Sequence, residues 1–158
     1  MSRALVAYFS ASGVTAKMAE KLSAAIGADL FEIKPETPYT QADLNWQDKN
    51  SRSTIEMEDR NSRPAISSKI EDMTVYDVVF IGFPVWWYRE PSIIDTFMEN
   101  YDFTGKTVIP FATSGMSPIG DSGKNMGEIA KGAKVVEGRR FPNSITAEEL
   151  RNWASEWI

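Results

Sequence analysis

Three short segments carry the residue types that could do chemistry. Ser10-Ala11-Ser12-Gly13-Val14-Thr15 places three hydroxyls and a glycine at the start of a stretch with helical apolar spacing. A helix beginning there has unpaired N–H groups and a positive dipole end facing outward, which suits a phosphate. The plainer reading is a helix cap with spare serines. Farther along, Gly82 to Pro91 contains Trp86, Trp87 and Tyr88 in succession. Three adjacent aromatics cannot all point into one core, so a flat aromatic ligand could stack on one of them. The plainer reading is a hydrophobic corner under the next helix. Finally, Thr113 to Gly123 is rich in small and hydroxyl residues, which can present donors and acceptors to the polar edge of a ring. Gly115 and Gly120 have the GxxxxG spacing of a phosphate loop. Asp121 stands where that loop requires Lys, which excludes a nucleoside triphosphate. No GxGxxG follows the first apolar run, which argues against a dinucleotide site.

These segments need a scaffold that brings them together. Ala4 to Phe9 is a compact apolar run and reads as a buried strand. Val14 to Ile26 follows as a helix, with Ala19, Leu22 and Ile26 on one face and Gly27 as its stop. Leu30 to Ile33, Val78 to Gly82, Thr107 to Ala112 and a run beginning at Lys134 give four more strands. Pro91 opens a helix to about Asn100, a further helix falls near Gly123 to Ala130, and Thr146-Ala147-Glu148-Glu149 is a capping box for the last one. Strands alternating with helices imply a doubly wound parallel sheet of order 2-1-3-4-5 in three layers. In that order the winding reverses between strands one and three, where ligands bind at the carboxyl ends of the strands. All three segments follow strands that end there.

The 158 residues suit a single domain, 1–158, with an irregular polar insertion at about 37–73 that holds short helical pieces and packs through its aromatics. The chain has no Cys, so disulfides, thiolate nucleophiles and Fe–S ligation are excluded. It has no His, which removes the commonest general base and transition-metal ligand. Redox chemistry would therefore rest on a bound organic cofactor or an oxygen-ligated metal. Glu56, Glu58 and Asp59 read as a solvated acidic face rather than a metal site, and Arg139-Arg140 is too small a patch for nucleic acid. The net charge of −5 argues against nucleic acid and membrane partners and suits a basic redox partner. The first apolar run is too short for a signal peptide, and cytoplasmic placement is the expectation.

Taken together, the three loops resemble the flavodoxin family. Tyr8-Phe9-Ser10-Ala11-Ser12-Gly13-Val14-Thr15 is similar to the family's FMN phosphate loop, (T/S)-x-T-G-x-T. Ser12 replaces the usual Thr, and Val14 stands where many members have Asn. Pro84-Val85-Trp86-Trp87-Tyr88 is similar to the first ring-flanking loop of a subgroup that also carries a long polar insertion after strand two, ending near Arg63-Pro64. Thr113-Ser114-Gly115 matches the second ring loop. The resemblance covers essentially the whole chain and implies a flavodoxin-like fold with non-covalent FMN. It implies that Ser10, Ser12, Gly13, Val14 and Thr15 hold the phosphate. Pro84, Val85, Trp86, Trp87 and Tyr88, with Thr113, Ser114 and Gly115, would frame the isoalloxazine. Asp121 and Ser122 are further candidates, and no catalytic side chain or metal is expected. Three roles follow: an electron carrier between protein partners, a reductase passing electrons from NAD(P)H to a quinone or similar small acceptor, and a flavin-free binding module. The feature motivating the reductase is Arg89, a cation beside the aromatic loop that could stabilise negative charge on a reduced ring, and the 37–73 insertion could also roof a substrate pocket. Monomer versus oligomer is left open.

Overall fold

The computed structural model describes residues 3–87, 89–113 and 118–158. Its strands are β1 Ala4–Tyr8, β2 Asp29–Glu32, β3 Val78–Pro84, β4 Thr107–Thr113, β5 Lys134–Val135 and β6 Arg139–Phe141. Its helices are α1 Val14–Ile26, α2 Arg52–Glu58, α3 Ser92–Asn100, α4 Ser122–Ile129 and α5 Ala147–Ala154, with a 3-10 turn at Met73–Val75. All strand pairs are parallel, and the sheet order is β2-β1-β3-β4-β5, with β6 also on β4. This is the expected doubly wound order, 2-1-3-4-5.

The apolar runs form strands because a parallel sheet covered on both faces buries every side chain. Val78 to Phe83 are all buried. Alternate residues divide between two cores. Leu5, Ala7, Val79, Ile81 and Val108 pack with α3 and α4. Val6, Phe80, Ile109 and Phe111 pack with α1 and α5. Gly13 and Gly27 bound α1 as its caps. The Thr146–Glu149 capping box forms as the sequence predicts, satisfying N–H groups that the start of α5 would otherwise leave bare. The stretch of α3 from Ser92 to Met98 is buried all round. The sheet covers one side of it, and on the other the Ser92 hydroxyl donates to the Glu56 carbonyl of α2 at 3.1 Å.

Two expectations need correction. The fifth strand is split, ending at Val135 and resuming at Arg139. Between the two pieces Gly138 takes φ 80°, and an added Cβ would sit 2.2 Å from the Pro110 carbonyl oxygen. The chain passes so close to β4 there that it cannot stay in ladder register. The 37–73 stretch does hold a short helix, α2, but its aromatics do not all pack. Tyr39 does, whereas Trp46 is 68% exposed, and on α2 Ile55 is 56% exposed. No helix of the described residues is long and apolar enough to cross a membrane.

Candidate functional site

The loops after β1 and β3 meet the end of β4 at the carboxyl edge of the sheet, and Thr113 joins them. Its hydroxyl lies 2.7 Å from that of Thr15 on α1, and both residues are buried. Its carbonyl accepts the Val85 N–H at 3.3 Å. The Phe9 N–H donates to the Gly82 carbonyl at 2.9 Å, tying the end of β1 to β3. In a pair of hydroxyls only one hydrogen is used between them, so one O–H of Thr15 and Thr113 is left to give elsewhere.

The first loop has the donor chemistry of a phosphate cradle. Gly13, at φ 93°, is the N-cap of α1 and has no side chain with which to close the helix end. Its N–H is taken by the Ser10 Oγ at 3.0 Å, which leaves the Ser10 hydroxyl hydrogen free to point outward. Ser12 and Val14 are exposed. A Cβ added at Gly13 would meet no atom within 4 Å, so the space over the helix end is open. Hydroxyl donors, early-helix amides and open room fit the phosphate that the resemblance implies, and the helix dipole adds to the attraction.

The second loop is a tight turn. Trp86 and Arg89 exchange backbone bonds, Trp86 N–H to Arg89 carbonyl at 3.0 Å and Arg89 N–H to Trp86 carbonyl at 3.1 Å. Trp87 takes φ 49° as the first central residue, as mirror-image turns require. For a bulky side chain that conformation costs roughly 1–2 kcal/mol. Strain of this kind at a loop tip points toward function. Trp86 is held inside by edge-on contacts to Phe9 (5.6 Å) and Tyr39 (5.5 Å), and those two rings also meet at 5.5 Å. Trp87 is 40% exposed, and among the described residues of the turn it is the ring open to a ligand. Pro84 closes β3 and Val85 is half-buried behind the turn. Tyr88, Ser114 and Gly115 lie outside the described residues.

Asp121 is placed differently from the other candidates. It is the N-cap of α4 and lines a cleft of about 330 Å³ against β5, which no residue of the Ser10–Thr15 loop borders. The neighbouring candidate Ser122 is fully buried, and its hydroxyl donates to the Ile119 carbonyl at 2.8 Å. One cavity that adjoins the first loop, about 400 Å³, is bordered by Ser10, Lys34, Pro38 and Tyr39.

Two sequence readings are overturned here. Arg89 does not offer a cation to a ring. It is buried, and its guanidinium donates to the Met57 and Glu90 carbonyls and lies 3.5 Å from Asp95 Oδ2. Burial lowers its pKa, while the Glu90 and Asp95 carboxylates oppose that shift. Nor is Glu56 part of a solvated face. It accepts the Tyr39 hydroxyl and pairs with Arg52 at 2.9 Å, and the Arg52 guanidinium lies 3.8 Å from the centre of the Tyr39 ring. Burial and then the Glu56 carboxylate push the Tyr39 pKa up, so the phenol stays neutral. No cluster of acidic side chains that could hold a metal occurs among the described residues. Phe9 and Tyr39 are site-wall residues that loop reading missed. The position of Phe9 at the end of β1 was a usable signal, whereas the approach of Tyr39 to Trp86 left no local trace.

Comparison with known proteins agrees with the fold. A family model described as flavodoxin matches residues 3–157. A search of curated proteins gives no match. Among solved structures, a candidate flavoprotein from Bacteroides eggerthii DSM 20697 is 50% identical, covers 99% of this chain and 98% of its own, and superposes with a TM-score of 0.93. A second, from Bacteroides uniformis ATCC 8492, is 45% identical over 98% of each chain, with a TM-score of 0.91. A flavoprotein from Lactobacillus acidophilus NCFM, solved in complex with FMN, is 25% identical over 99% of each chain, with a TM-score of 0.71. With the family model spanning nearly every residue and the sheet wound in its order, this chain belongs to the flavodoxin family.

Proposed function

We propose that this chain binds one FMN non-covalently and serves as an electron carrier between protein partners. The observation that carries the reading is the junction at Thr113, where a phosphate-type helix start, an aromatic turn and the end of β4 meet within hydrogen-bond distance. The FMN-bound Lactobacillus acidophilus protein, alike over almost its whole length, supports the choice of cofactor.

FMN supplies the redox chemistry, and the protein sets its position and electrostatic surroundings. The Ser10 and Ser12 hydroxyls and the first amides of α1 bind the phosphate without a Lys or Arg in the loop. Trp87 covers the ring from its turn, and the Phe9–Tyr39–Trp86 cluster forms a rigid wall that keeps water from that side. The net charge of −5 disfavours additional negative charge at the bound ring and attracts a basic docking partner.

Trp87→Ala is expected to weaken FMN binding about tenfold, since stacking on an aromatic ring contributes roughly 1–3 kcal/mol. Titration of the apoprotein with FMN, followed by flavin fluorescence, measures it.

The inward turn of Arg89 removes the cation that favoured a reductase. The FMN-loaded protein is expected to oxidise neither NADH nor NADPH faster than free FMN when a quinone is supplied. Sustained turnover with either nicotinamide would replace the carrier reading with the reductase.

A further inference from the structure

Behind the aromatic turn lies a group of charged side chains that the flavin reading does not use. Glu90 is fully buried at the foot of the turn, Asp95 is buried in the first turn of α3, and Arg89 lies between them. The four carboxylate oxygens are unevenly served. Glu90 Oε1 accepts from the Asn125 amide of α4 at 3.1 Å, and Asp95 Oδ2 faces Arg89 Nη1 at 3.5 Å. Glu90 Oε2 is 3.8 Å from the same nitrogen, too far for a hydrogen bond, and neither it nor Asp95 Oδ1 has a hydrogen-bond partner. The two carboxyl groups thus lie within 3.8 Å of one and the same guanidinium nitrogen, Arg89 Nη1.

Were both ionised, two negative charges would face one buried guanidinium, with Glu90 Oε2 and Asp95 Oδ1 both left without a partner. One proton between those oxygens satisfies both at once and makes the group of three neutral. We propose that Glu90 and Asp95 share a single proton and, through Arg89, act as positioning residues for the turn that presents Trp86 and Trp87. Arg89 transmits the effect, because its backbone closes the turn on Trp86 while its guanidinium is held by the pair. The functional part of this inference rests on the FMN reading.

Burial, then the bond and charge of Asp95, raise the Glu90 pKa to about 8. The other charges facing the group are Arg60 and Arg63, which follow α2 and act on Arg89, and Arg63 pairs with Glu99 of α3 at 3.0 Å. The Arg52–Glu56 pair of α2 is closed on itself and on Tyr39. Between the unfolded value of about 4.5 and about 8, the folded chain keeps a proton that the unfolded chain has lost. This group's contribution to stability therefore falls as pH rises through that window and levels off above it.

The test has three readouts on the full chain. Infrared spectroscopy of the wild-type protein at pH 7 is expected to show a protonated carboxyl band that disappears near pH 8 and is missing from Glu90→Gln. Thermal melting from pH 5 to 9 is expected to show a falling slope that flattens in Glu90→Gln and in Asp95→Asn, since an amide can bridge the two sites without a titrating proton. FMN binding by the wild-type protein is expected to weaken about threefold from pH 7 to pH 9, and by Glu90→Gln to stay level. Absence of the band from the wild-type protein overturns the proposal, even if neither variant folds, as does an unchanged slope in both variants. The band and the melting slope need no flavin. A chain that shows both yet ignores FMN supports the shared proton and overturns only the flavin reading.

Discussion

Gly138→Ala is expected to destabilise the protein by about 3 kcal/mol, combining roughly 1–2 from a left-handed backbone with roughly 1–3 from overpacking. Gly138 has φ 80°, and a Cβ there would lie 2.2 Å from the Pro110 oxygen and 2.9 Å from its carbonyl carbon. Both are backbone atoms of β4, a central strand pinned by β3 on one side and by β5 and β6 on the other, so neither can swing aside. The strain would fall where β6 rejoins the sheet through Phe111–Arg139 and Thr113–Phe141, and Phe141 is fully buried. Thermal unfolding by circular dichroism should show the midpoint falling by about 10 °C for a chain of this length. A fall of only a degree or two would mean that the split fifth strand yields easily.

Gly13→Ala is expected to have the opposite profile, with little effect on the fold and a large effect on the ligand. Gly13 also has φ above zero, but a Cβ there meets no protein atom within 4 Å, so the apoprotein should lose only about 1 kcal/mol. The methyl group would project over the start of α1, where the phosphate is proposed to lie. Loss of one charge-assisted bond of about 2–3 kcal/mol would weaken FMN roughly 30- to 150-fold. Riboflavin, which has no phosphate, should be much less affected. Comparing the two ligands on the two proteins separates a blocked phosphate site from a disturbed ring site. Equal losses for both ligands would place the fault in the ring site.

Most of the scaffold was legible because its signals are local. Uninterrupted apolar runs such as Val78 to Ile81 can be satisfied only in a sheet covered on both faces. Gly13, Gly27 and the Thr146–Glu149 box mark helix ends through backbone chemistry that neighbours in sequence supply. The meeting of the loops after β1 and β3 with the end of β4 followed from the winding rule applied to those elements. What stayed hidden depends on distant partners. The close pass of Gly138 over Pro110 is a tertiary fact, so the fifth strand read as one piece. Tyr39 reaches Phe9 and Trp86 across the fold, and its hydroxyl takes Glu56 out of solvent. Arg89 read as a cation for the ligand because its inward partners come from three places: Met57, Glu90 and Asp95. One sequence sign of that group was present. Asp95 stands in Ile93-Ile94-Asp95-Thr96-Phe97-Met98, a run apolar enough to bury its carboxylate and therefore to demand a partner.

The most direct test of the flavin site is a titration of the purified apoprotein with FMN and, in parallel, with riboflavin, followed by quenching of flavin fluorescence. Saturation is expected at one FMN per chain, with riboflavin bound more weakly by a factor of ten or more, about 1.4 kcal/mol or above, because only FMN engages the start of α1. A chain that ignores FMN, or that binds riboflavin equally well, would contradict the proposed site.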